Sequence, residues 1–109
     1  MAQEDRFHLD HLGCSVTMTV RLGGHRELEL LVDGHEVGFE RVHGHHAETH
    51  RLAAVLPSTP PVPIEVEVAL PGRTKGEPVC VLVVGEERLP MPRNDIPRRA
   101  RPIEADYYG

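Results

Sequence analysis

Cys14-Ser15-Val16-Thr17-Met18-Thr19-Val20-Arg21-Leu22, then Gly23-Gly24-His25, then Arg26-Glu27-Leu28-Glu29-Leu30-Leu31-Val32 is the stretch that decides the fold class. Cys14, Val16, Met18, Val20 and Leu22 alternate with Ser15, Thr17, Thr19 and Arg21, and Leu28, Leu30 and Val32 alternate with Glu27 and Glu29. A period of two puts one set on one face of a pleated strand, so both runs read as half-buried β-strands. Their register follows from the loop. Three loop residues set Val20 against Leu28, Met18 against Leu30, Val16 against Val32 and Arg21 against Glu27, whereas two would set Val20 against Glu27 and send an apolar face to solvent. Asp33-Gly34 then forms a two-residue hairpin turn, because both positions of a type I′ turn need positive φ and this pair tolerates it. That turn predicts Leu30 opposite Val37, Leu28 opposite Phe39 and Glu27 opposite Glu40. Arg21, Glu27 and Glu40 then lie in one row on the solvent face.

Working outward, the pattern repeats. Ile64, Val66, Val68 and Leu70 alternate with Glu65 and Glu67. Val79–Val84 is apolar at every position, as a central strand covered on both faces would be, and Gly85-Glu86 turns it into Glu87–Met91. Between residues 47 and 56 two periods compete. Good helix formers suggest a short helix, while Leu52, Ala54 and Leu56 fit a strand, and we read a strand. Ser58–Pro63 is a stiff connector, since each proline fixes φ and removes a donor. About seven strands with short hairpins and no crossover helix predict an all-β chain, a small antiparallel β-sandwich, with a small barrel as the alternative, or α+β if 47–56 is helical. Strand–turn–strand segments such as Leu30–Val37 and Val83–Leu89 resemble the hairpins of many small β-sandwich domains, a likeness too general to carry an activity.

The 109 residues suffice for one core. We assign 1–92 to the sandwich domain and 93–109 to a C-terminal tail, flexible or docked on a partner. The tail carries Pro97, Pro102, Arg98, Arg99, Arg101 and both tyrosines, Tyr107 and Tyr108. Aromatic and arginine side chains anchor interfaces, so Arg98, Arg99, Arg101, Tyr107 and Tyr108 are the candidate partner-binding residues. A net charge of −5 argues against nucleic acid, which needs a concentrated basic face. The longest apolar run is far shorter than a membrane span and the N-terminus is polar, so no membrane insertion and a cytoplasmic location are expected. Eleven arginines against one lysine reflect GC-rich codons. Cys14 and Cys80 read as buried free thiols.

The candidate site is the histidine-rich segment. His43, His45, His46 and His50 fall within eight positions, and imidazole is a common ligand for zinc, copper and nickel. No defined metal motif matches that spacing, so the expectation is at most weak transition-metal binding and no resident cofactor. The plainer reading is a polar loop of titrating histidines. Catalytic groups are not evident. Ser15 and Ser58 lack a motif, Gly23-Gly24 and Gly72…Gly76 lack the strand-to-helix context of a phosphate cradle, and the acid pairs Glu27/Glu29 and Glu65/Glu67 face solvent. The terminal Tyr-Gly is not the Gly-Gly end of a ubiquitin-like carrier. An enzyme would require the fold to bring His50 or His35 beside an acid and a pocket. The reading is therefore a non-enzymatic protein–protein interaction module or accessory subunit, binding a protein partner or forming a homo-oligomer through a sheet surface and the tail.

Overall fold

The computed structural model describes residues 3–23, 25–72 and 76–94, and these are all-β. Eight strands follow in order: β1 (Gln3–His11), β2 (Cys14–Leu22), β3 (Arg26–Val32), β4 (His35–Val42), β5 (Glu48–Leu56), β6 (Val62–Leu70), β7 (Val79–Val84) and β8 (Glu87–Pro90). They form two antiparallel meanders of four, β1-β2-β3-β4 and β5-β6-β7-β8. One apolar cluster joins Val16, Met18, Leu28 and Leu30 of the first sheet to Leu56, Val66, Val68 and Leu82 of the second. The result is a β-sandwich. The segment from Glu48 to Leu56 is a strand paired with β6 at all nine positions, which removes the helical alternative. His50 thus lies in a strand, not in the loop.

The register between β2 and β3 is the expected one: Val20 faces Leu28, Met18 faces Leu30, Val16 faces Val32 and Arg21 faces Glu27. Asp33 and Gly34 take φ of 52° and 82°, as the turn requires. Beyond that turn the expected register is corrected by one residue. Val32 faces His35 and Leu31 faces Glu36, but Leu30 faces Gly38, so Val37 is left over in a β-bulge. Packing explains it. A Cβ at position 38 would lie 3.3 Å from Leu52 Cδ2 and 3.6 Å from Leu30 Cβ, so the place over Leu30 is tight and favours glycine over the bulkier, branched Val37. The slip turns Val37 and Phe39 outward, 45% and 49% exposed, and puts Glu40 on the inner side opposite Leu28. Glu27 consequently faces Arg41, not Glu40. The solvent row reads Glu4, Arg21, Glu27, Arg41, alternating in sign across four strands, with Arg41 Nη2 at 3.2 Å from Glu27. Exposed pairs of this kind contribute at most about 1 kcal/mol each. Glu36 stands opposite Leu31, ahead of the bulge, and a side-chain hydrogen bond with Glu29 raises its pKa.

β1 is an eighth strand that the apolar pattern did not announce. Its inward positions begin with Asp5, 2% exposed, then Phe7. A buried carboxylate replaces the expected apolar residue because Arg93 pairs with it, while Gln3 Nε2 donates to it at 2.9 Å and the Arg93 guanidinium lies over the Phe7 ring at 5.6 Å. Arg93 and Asn94, which the sequence assigns to the tail, are thus bonded to β1: His8 N donates to Pro92 O at 3.0 Å and Asn94 N to Arg6 O at 2.6 Å. The remaining tail, 95–109, with Arg98, Arg99, Arg101, Tyr107 and Tyr108, lies outside the described residues.

β7 corrects a second expectation. Cys80 and Leu82 are buried, but Val79 is 55% exposed and Val81 and Val83 are partly buried, so one face of this strand packs into the core while the other, among the described residues, carries only the side chains that cross it from β6 and β8. On that outer face Glu67 is held between Arg51 Nε, at 2.9 Å, and Arg88, whose side chain crosses β7 to reach it. Hydrogen bonds from Arg88 and then Arg51 bring the Glu67 pKa down to about 2. A carboxylate with a lowered folded pKa stabilises the fold above its unfolded value and ceases to do so as pH falls through the folded one. Wild type should therefore lose stability relative to Glu67→Gln between about pH 4.5 and pH 2, measured by urea denaturation across that range. Parallel curves for the two proteins would refute the assignment.

Candidate functional site

Because the bulge points Glu40 inward, the edge where β4 approaches β5 is polar between the sheets. β5 presents Glu48, His50 and Leu52 to the inner side, opposite Leu70, Val68 and Val66 of β6. His50 Nδ1 lies 2.9 Å from Glu40 Oε2 of β4, and its Nε2 lies 3.0 Å from Glu48 Oε1. An imidazolium donates to both carboxylates, whereas a neutral ring has a single N–H and satisfies only one. Glu48 also accepts from Arg26 Nη2 of β3 at 3.1 Å. Arg26, 3% exposed, donates through Nη1 to His46 O at 3.0 Å and Pro71 O at 3.1 Å. One network, Glu40–His50–Glu48–Arg26, therefore ties both sheets to the loops after β4 and β6. Arg26 Nε is buried and has no hydrogen-bond partner among the described residues.

Of the four candidate metal ligands, the fold separates His50 from the rest. His50 is half-buried with both ring nitrogens engaged, while His43, His45 and His46 are exposed on the 43–47 loop. Among the described residues no three His, Cys, Asp or Glu side chains are grouped to hold a metal ion. His50 does meet acids, but the adjoining cleft of about 460 Å³ is lined by Leu22, Gly23, Arg26, His45, Pro71 and Gly72, not by His50. His35 is exposed at the β3–β4 turn. What the network does is hold charge between the sheets and fix the loops.

Sequence reasoning missed the roles of Arg26, Glu40 and Glu48. A signal existed for Arg26 alone: it occupies the inward parity of β3, in step with Leu28 and Leu30, where an arginine has to find partners or leave the core. Glu40 carried none, since its inward position depends on the bulge.

Both cysteines are buried free thiols. Burial, then the nearby Asp5 carboxylate, pushes Cys80 up to about 12, leaving almost no thiolate at neutral pH. A disulfide reagent at pH 8 should leave Cys80 unmodified in the native protein and modify it promptly in guanidinium. Rapid modification of native Cys80 would contradict the placement.

A second surface stands apart from the polar edge. On the outer side of β5-β6-β7 a groove of about 530 Å³ is lined by Ala53, Val55, Pro63, Glu65, Val83 and Gly85, among others. Val55 is 57% exposed. No helix among the described residues is long and apolar enough to cross a membrane. Compared with known proteins, the chain matches no family model, and neither a curated protein nor a solved structure shows significant similarity to it.

Proposed function

We propose that the chain is a non-enzymatic protein-interaction module, an accessory subunit or self-associating domain of the cytoplasm, that docks through the outer face of its second sheet. The observation that carries this reading is β7. Val79, Val81 and Val83 form an outward apolar stripe, Val79 55% exposed and Val81 and Val83 partly buried where the Arg88–Glu67 ion pair crosses β7, with Val55 and Pro63 on the same face. Leaving such a stripe in water forgoes burial worth roughly 25 cal/mol per Å², and contiguous apolar surface with a polar rim marks interaction sites. The arginine- and tyrosine-bearing tail supplies further anchors. Val79→Lys together with Val83→Lys should keep the fold, because both side chains point outward, and should abolish retention of any protein that the wild type captures from its native lysate. Unchanged retention would reject the face. Transition-metal binding is the second reading, favoured by three exposed imidazoles, His43, His45 and His46, on one short loop. Zinc calorimetry with no heat up to sub-millimolar metal would end it.

A further inference from the structure

We infer that the free edge of β5 pairs antiparallel with the same edge of a second copy, about a two-fold axis at Ala54. This deepens the interaction reading by naming a partner and the strand it uses.

The sandwich has four sheet edges, and three are defended. β1 is covered by the 92–94 segment, with Phe7 bridged to Arg93. β8 is four residues long and ends at Pro90. β4 carries the bulge at Val37, together with Glu36, Glu40 and Arg41. Short strands, prolines, bulges and charges are the devices that stop an edge from recruiting another strand. β5 has none of them in its second half. It runs nine residues in unbroken register with β6, and among the described residues no backbone hydrogen bond joins its other side to β4, which approaches it with Glu40 on His50 and Gly38 against Leu52.

Self-complementarity selects the second copy as the occupant. Leu52-Ala53-Ala54-Val55-Leu56 contains no charge, no proline and no glycine. Antiparallel pairing about Ala54 sets Leu52 against Leu56 and Ala53 against Val55, every pair apolar and each on its proper face. Moving the axis to Arg51 would bring two guanidinium groups face to face, and moving it to Leu52 would set Arg51 against Ala53. A two-fold contact of this kind closes on itself as a dimer and does not propagate. The pairing joins two four-stranded sheets into one of eight, and the outward Ala53 and Val55 of both copies extend the apolar face.

Five strand residues form a small contact beside the roughly 1,200 Å² of a stable interface, so association weaker than that of a full-sized interface is expected, with its midpoint between about 1 μM and 1 mM. Light scattering coupled to size exclusion should show the full chain, 12.1 kDa, rising toward twice that mass as its concentration is raised through this range. Ala53→Lys with Val55→Lys places like charges opposite each other in the Ala54 register and should shift the midpoint at least tenfold upward. Ala53→Lys with Val55→Glu places opposite charges there and should restore association to wild-type strength or better. Both positions are exposed, and far-ultraviolet dichroism checks that the variants stay folded. A wild type that remains monomeric to 1 mM, or two double variants that associate equally, would overturn the proposal. The first outcome leaves the outer-face reading intact, because Val79 and Val83 act in the capture experiment independently of this edge.

Discussion

Arg26→Met is expected to destabilise the fold by about 3 kcal/mol, the lower end for removing one partner of a buried ion pair, since Glu48 retains some solvent. The guanidinium is 3% exposed and reaches Glu48 and the carbonyls of His46 and Pro71 at once. Methionine fills much of the same volume, so little of the loss comes from a cavity. It comes from a carboxylate left beside an apolar side chain and from two carbonyls deprived of their donor. Arg26→Lys should recover only part of the loss, because a single ammonium cannot span three acceptors that a planar fork reaches together. Urea denaturation is the measurement, with an unchanged slope expected for wild type and variant. A loss under about 0.5 kcal/mol, the range of ordinary surface changes, would mean that the network only decorates the edge of the sandwich.

The same arginine shows where the sequence was legible and where it was not. Strand identity and the β2–β3 register follow from alternation and loop length, because a slip of one residue would expose Val16, Met18 and Val20, all fully buried. Three features lay beyond that rule. β1 is held partly by the buried Asp5–Arg93 pair, between residues at opposite ends of the chain, and alternation assigns an aspartate outward. The bulge in β4 sets Gly38 where there is little room beside Leu52, a residue of the other sheet, and no local pattern encodes that proximity. The candidate site inherits both difficulties. His50 was visible as one of a cluster of histidines, yet its partners Glu40 and Glu48 become neighbours only after the bulge turns Glu40 inward and the sheets close. Local periodicity fixes faces, and long-range packing decides which polar residues share them.

Adjacent positions in β7 provide the second large effect and a direct test of the docking face. Leu82→Ala should cost about 3 kcal/mol, within the span for deleting a buried leucine side chain, because Leu82 is fully buried on the central side of the strand. Val79→Ala, 55% exposed and on the other face, should change the stability of the isolated chain by no more than about 0.5 kcal/mol. The contrast is informative because the two side chains lie in one short strand of uniform apolar character, Val79–Val84, so hydrophobicity alone predicts similar losses. Burial predicts a large ratio, and chemical denaturation of the two variants at micromolar concentration measures it. Equal losses would mean that the outer face is covered within the chain itself, which would remove the apolar stripe from the inventory of docking surfaces. Where the contrast holds, the conserved stability of Val79→Ala assigns any weakening of partner capture in that variant to the interface, since the fold that presents the face is unchanged.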